Sequence, residues 1–269
     1  MSERWSGLYL KAELHQIAQA LLRISTARGY SELFVIDRVE YPILEEEEVA
    51  KLYQSNLRET VELAFLAQAN PAWTRVIGIE KVVECFPRLY FASELAFLLS
   101  CDAFECGFLD SLSWWYCYYE GGLPADRFDS LPEETYWQPD PRQPLDPNDS
   151  RTVYLQALQH GKPAEVVLPG KVLAEYRGRP SRLASITRPG QEQALSELTL
   201  SDCHPMSAVR SLRELLTLPW IGSYLALDLF TELANHRRPP SEATMALIGR
   251  GLAFVALQHP KVSLLNSSR

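Results

Sequence analysis

The chain has 269 residues, 46% hydrophobic and 22% charged, a globular composition long enough for one large or two small domains with a sizeable core. Its formal net charge of −8 disfavours binding to phosphate backbones or anionic lipid unless positive charge is gathered in one place, and only Arg177 with Arg179 and Arg237 with Arg238 come near that. No apolar run reaches the roughly 20 residues of a membrane span, MSERWSGLYL lacks the apolar core of a signal peptide, and five cysteines without a CxxC pair fit a reducing compartment, so a cytosolic protein is expected.

GLYLKA, from Gly7, alternates and reads as a strand. Leu14, Ile17, Ala18, Leu21 and Leu22 then recur at helical spacing, and Gly29 stops the run, so a helix is expected from about Ala12 to Arg28. Leu33 to Leu44 has strand chemistry, with Pro42 marking an edge or an ending. Glu45 to Glu48 suit the first turn of a helix, where the macrodipole favours acids. Val49, Leu52, Tyr53, Leu57, Val61, Ala64 and Phe65 extend that helix to about Ala69.

Asn70-Pro71 is a turn, and Trp73 to Ile79 a strand. Pro87 opens a helix that reaches about Ser100, and FECGFLD from Phe104 is a strand. Trp114 to Glu120 follows as an aromatic strand. Gly121-Gly122 signals a hairpin turn, and Ala125 to Ser130 returns. Alternation puts Trp114, Tyr116 and Tyr118 on one face and Trp115, Cys117 and Tyr119 on the other. Both faces are bulky, so this strand is expected to be covered on both sides.

From Leu131 to Ser150 the chain is dense in Pro, Asp and Gln and reads as a linker. Arg151 to His160 suggests a short helix, and the run from Val166 is broken by Pro169-Gly170. Helices are expected over Gln191 to Leu198, Pro205 to Leu218, Tyr224 to Ala234 and Ser241 to Leu257, the last with Ser241 as N-cap.

DSLSWWYCYYEGGLPADRFDS resembles the signature of a loosely defined family of bacterial proteins. In that family a strand opens with Asp-Ser, passes through aromatics to a Gly turn, and returns through Asp-x-Phe-Asp/Asn-Ser before a Pro. The matching positions are Asp110, Ser111, Tyr116, Tyr119, Gly122, Asp126, Phe128, Asp129, Ser130 and Pro132. Gly178 to Pro180, Ser207 to Trp220 and the N-terminal GLYLKAELHQIAQAL are similar to the same family; Leu33 to Asn70 has no counterpart in it. The resemblance implies a layout and brings no activity and no catalytic residue.

The best surface candidate is the hairpin's end. Asp126, Arg127 and Asp129, with Ser130, gather two carboxylates, a guanidinium and a hydroxyl beside Tyr116 and Tyr118. They suit recognition of a partner or a small polar ligand. The competing reading is that Asp129 or Ser130 turns its own backbone. Asp202, Cys203 and His204 are metal-capable, but adjacent residues rarely converge on one ion. LPWIG, Leu218 to Gly222, resembles the turn of helix-hairpin-helix modules, yet Trp220 replaces a needed Gly and the flanks are acidic. No nucleophile, phosphate-loop or metalloprotease motif is present.

The sequence therefore predicts an α+β fold. A small, mostly antiparallel sheet packs against helices up to residue 130. A linker spans 131–150, and a mainly helical region over 151–269 packs on the first. The expected function is a non-enzymatic cytosolic protein acting through a protein partner, as a regulator, adaptor or immunity-type inhibitor, without cofactor, metal, nucleic acid or membrane. A basic partner would fit the net charge. The alternative is an enzyme or small-molecule binder with a pocket beside the aromatic hairpin.

Overall fold

The computed structural model describes residues 4–54, 61–78, 89–109, 113–131, 174, 176–201, 203–218 and 226–259. The elements, in chain order, are β1 (Arg4–Leu10), α1 (Leu14–Ala27), β2 (Ser31–Ile36), α2 (Glu46–Gln54), β3 (Val61–Asn70), β4 (Trp73–Gly78), α3 (Leu89–Leu99), β5 (Ala103–Leu109), β6 (Ser113–Glu120) and β7 (Leu123–Asp129). A 3₁₀ helix (Pro180–Ile186) follows, then α4 (Glu192–Leu200), α5 (Pro205–Leu215), α6 (Ala226–Leu233), α7 (Glu242–Arg250) and β8 (Leu252–Gln258). The fold is α+β with antiparallel pairing, as expected.

The chain forms two compact units: residues 1–11 with 82–221, and residues 12–81 with 222–269. In the first, β1, β5, β6 and β7 lie side by side in that order. Their register aligns Gly7, Cys106, Tyr116 and Phe128 in one row, and Leu8, Glu105, Cys117 and Arg127 in the next. The helices α3 and α5 pack on this sheet, and the 3₁₀ helix packs on β7. Strand β6 is buried from Ser113 to Tyr119, which is the two-sided cover its aromatics predict. Gly121 and Gly122 turn the hairpin at φ 55° and 87°, a conformation that side chains with a Cβ resist.

In the second unit the order is β2, β8, β3, β4. Here α1 packs on β8, β2 and β3, while α6 and α7 pack on β3. The core is aromatic at its centre. Phe254 on β8 meets Phe65 on β3 with ring centroids 4.8 Å apart, and stacks on Phe230 of α6 at 5.7 Å.

Two expected helices are in part strands. The helix expected to run from the acidic cluster to Ala69 ends at Gln54, and Val61–Asn70 is β3. Every residue from Val61 to Ala67 is buried, so the spacing of Val61, Ala64 and Phe65 is part of a continuous apolar strand rather than one helix stripe. Likewise α7 ends at Arg250, and LAFVALQ is β8, buried from Leu252 to Leu257, instead of continuing the helix to Leu257. The expected strand Leu33 to Leu44 is shorter, Ser31–Ile36, and stops before Pro42. The expected helix at Arg151 to His160, the run from Val166 up to residue 173 and all of the linker but Leu131 lie outside the described residues.

Candidate functional site: the latched aromatic hairpin

The strand β6 delivers its aromatics to two different environments. On one face, Trp114 and Tyr116 pack around Phe128 of β7, with centroids 4.4 Å and 5.7 Å from it. Phe104 of β5 stacks on Tyr116 at 6.1 Å. Each ring is buried, so the cluster is core in the first instance.

Its polar ends are tied inside the chain. The Tyr116 hydroxyl donates to Asp126 Oδ2 at 3.0 Å. The same carboxylate accepts the Arg179 backbone N–H at both oxygens, 2.8 and 2.9 Å. The Arg179 Nε lies 3.8 Å from Asp126 Oδ1, and its Nη2 donates to the Ala125 carbonyl at 3.0 Å. Asp126 thus receives the donors that a buried carboxylate requires. The segment that supplies them runs along β7: Asp129 N donates to the Tyr176 carbonyl at 2.9 Å, and Phe128 bridges to Arg177. Between them Gly178, at φ +70°, lies against Tyr116; a Cβ there would stand 2.5 Å from the Tyr116 hydroxyl.

The other predicted residues separate. Tyr118, on the same face as Tyr116, shares a hydrogen bond with Ser185 Oγ at 3.0 Å. The Arg127 guanidinium stacks over the Tyr176 ring, 4.5 Å from its centroid. Asp129 Oδ1 accepts the Leu131 N–H at 2.9 Å, and Ser130 Oγ accepts the Trp114 N–H at 2.9 Å. The Asp129 bond is the backbone-turning role that competes with a binding role at a strand end, whereas Ser130 ties the end of β7 across to β6. The structure therefore brings Tyr116 and Asp126 together, and aims Tyr118, Arg127 and Asp129 at three different neighbours. The missed partners are Tyr176, Gly178, Arg179 and Ser185; the only signal for them was a Gly before Arg-Pro, which marks a turn but not its target.

On the opposite face, burial pushes the Cys117 thiol up to about 12; Tyr119 lowers it by hydrogen bonding, Glu105 raises it, Arg127 lowers it and Asp126 raises it. Burial also raises the hydroxyls of Tyr116 and Tyr119 above the ordinary tyrosine value, with Asp126 adding to the first and Cys117 and Glu105 to the second. A raised folded value keeps the proton on in the native state. The stability these groups contribute is complete below the unfolded tyrosine value of about 10 and falls as pH rises past it. An ultraviolet titration is expected to show both hydroxyls ionising only together with alkaline unfolding. Independent ionisation near the ordinary value would contradict their burial. In the same folded protein, Cys117 is expected to resist thiol reagents, whereas the half-buried Cys203 reacts.

Replacing Asp126 by asparagine removes one acceptor oxygen and the charge, and leaves a donor facing the Arg179 N–H or the Tyr116 hydroxyl. A loss of about 2 kcal/mol is expected in urea unfolding, with the tyrosine fluorescence altered.

Asp202 and Trp220, which carried the metal and helix-hairpin-helix patterns, lie outside the described residues. Cys203 accepts from Ser201 Oγ at 3.2 Å, and His204 precedes α5 as its N-cap. Among the described residues, no three His, Cys, Asp or Glu side chains are grouped to hold a metal ion, and no helix is long and apolar enough to cross a membrane. No family model, no curated protein and no solved structure matches this chain.

Proposed function

We propose that this chain works by binding a protein partner, as a regulator, adaptor or immunity-type inhibitor, and that the tip of the β6–β7 hairpin is the docking surface. The observation that carries this is a pair of large apolar side chains left in solvent there: Phe97 is 69% exposed and Leu123 61%. They belong to one place. The turn backs onto the end of α3, where a Cβ on Gly122 would stand 2.9 Å from the Phe97 Cα. The tip is also held firmly. Gly121 N donates to Asp102 Oδ1 at 3.0 Å, Gly122 N donates to the Cys101 carbonyl at 2.9 Å, and Lys11 Nζ pairs with Asp102 at 3.1 Å. The backbone that carries the exposed aromatic–aliphatic pair is already ordered, so binding need not fix it. Kinship with the aromatic-hairpin bacterial proteins belongs to the same proposal, as does a cytosolic location.

The alternative, a small-molecule pocket at the hairpin, has less support. The hydroxyls of Tyr116 and Tyr118 and the carboxylate of Asp126 are engaged by the chain itself. The test is the double variant F97S/L123S, compared with the native protein as bait in its own lysate. A stoichiometric protein retained by the native bait and lost by the variant, with the urea midpoint unchanged, is the expected result. Equal retention by both baits would sink the proposal.

A further inference from the structure

Resting on that docking reading, we infer that the surface beside the hairpin tip recognises an acidic polypeptide segment, the opposite of what the net charge of −8 suggests. Between Tyr176 and Gln191 the chain carries four arginines and no aspartate or glutamate. All four, Arg177, Arg179, Arg182 and Arg188, are exposed. Arg188 is drawn back to the Leu216 carbonyl, 2.9 Å from its Nε, and Arg179 is partly engaged by Ala125 and Asp126, which leaves Arg177 and Arg182 flanking it with no such side-chain contact among the described residues.

Their placement follows from the latch. Arg177 makes an isolated bridge to Phe128 of the edge strand, so the segment is held against the sheet there. Arg179 has a 67% exposed side chain, although its backbone N–H is bound by the buried Asp126. Arg182, inside the 3₁₀ helix, donates its N–H at 2.8 Å to the carbonyl of Arg179, the residue that precedes the helix. The guanidiniums therefore stand on a backbone that is already ordered, so binding need not fix it.

The stripe meets the apolar pair. Arg179 Nη2 bonds the Ala125 carbonyl, and Ala125 lies two residues along β7 from Leu123, about 7 Å in an extended chain. Arginine and aromatic side chains are both enriched in protein interfaces. Planar guanidiniums match carboxylates in pairs of hydrogen bonds. Charges beyond about 10 Å are screened at moderate salt, so the local arginines, not the distant acids, set the chemistry at contact. A duplex, with one charge per roughly 1.7 Å, would also bring its phosphates against the acidic remainder of the chain, whereas a peptide presents its carboxylates singly among apolar side chains.

The experiment is fluorescence anisotropy of the full chain with four labelled probes: a peptide alternating glutamate and leucine, its lysine counterpart, its serine counterpart and a single-stranded oligothymidylate. The glutamate peptide is expected to bind at low salt, to weaken as salt rises, and to lose roughly tenfold in affinity with R179E/R182E. R177E/R182E, which leaves the Arg179 contacts with Ala125 and Asp126 in place, is expected to weaken it as well. Tighter binding of the lysine peptide or of oligothymidylate, or glutamate-peptide binding that ignores both variants, would overturn the inference. Binding of the serine peptide that F97S/L123S abolishes, without any arginine dependence, would overturn it while keeping the docking surface. Arginine-dependent binding of the glutamate peptide that F97S/L123S leaves intact would sustain the arginine stripe and remove the apolar tip from the docking surface.

Discussion

Replacing Gly178 by alanine is expected to destabilise the protein by about 3 kcal/mol, read as a lower urea midpoint with little change in slope. Two costs add. The position has φ +70°, which disfavours any residue with a Cβ by roughly 1–2 kcal/mol. The new methyl would also stand 2.5 Å from the Tyr116 hydroxyl and 3.1 Å from the Phe128 Cβ. Neither neighbour can yield easily, because Tyr116 is buried and bound to Asp126, and Phe128 is wedged against Trp114. The alternative relaxation is for the segment from Tyr176 to Ile186 to lift off β7. That would break the Asp126–Arg179 hydrogen bonds and displace the arginines, so binding of the acidic peptide should fall along with stability. A Gly178→Ala protein of unchanged midpoint would mean that the latch is loose.

Replacing Phe254 by alanine is expected to cost about 4 kcal/mol, the scale of a large-to-small change in a packed core. Phe254 is completely buried, in ring contact with Phe65 and Phe230 from two other elements of the second unit. The cavity would open between β8, β3 and α6, and the aromatic neighbours on both sides lose their partner at once. Phe254→Leu should recover more than half of the loss, because it keeps the contact area of a branched apolar chain without the ring. A cost for alanine below about 1 kcal/mol would show that the second unit's sheet does not pack as described.

For function, the two experiments divide the molecule. The Phe254 change weakens the second unit and leaves every residue of the hairpin tip and arginine stripe in place. The Gly178 change acts on the first unit at the point where the stripe is anchored. A binding defect that follows Gly178 more closely than its loss of stability explains would tie recognition to the latch.

What the sequence by itself determined was mostly local. The amphipathic spacing of Leu14 to Leu22 specified α1, and Gly121-Gly122 between two apolar runs specified the hairpin. The aromatics of Trp114 to Tyr119, bulky on both faces, announced a strand covered on both sides. Each signal is periodic, or is set by a residue's own backbone preference, and needs no distant partner to be read. The tertiary structure decided the rest. Whether Val61 to Asn70 and Leu252 to Gln258 became helix or strand depended on pairing with each other, a contact between segments nearly two hundred residues apart in sequence. A continuous apolar run carries no period that distinguishes the two states. The role of Asp126 was decided in the same way: its carboxylate reads as a surface ligand until Arg179, 53 residues on, brings a backbone N–H to it. The exposure of Phe97 and Leu123 was equally invisible, because an apolar residue in a sequence looks the same whether the fold covers it or leaves it in water.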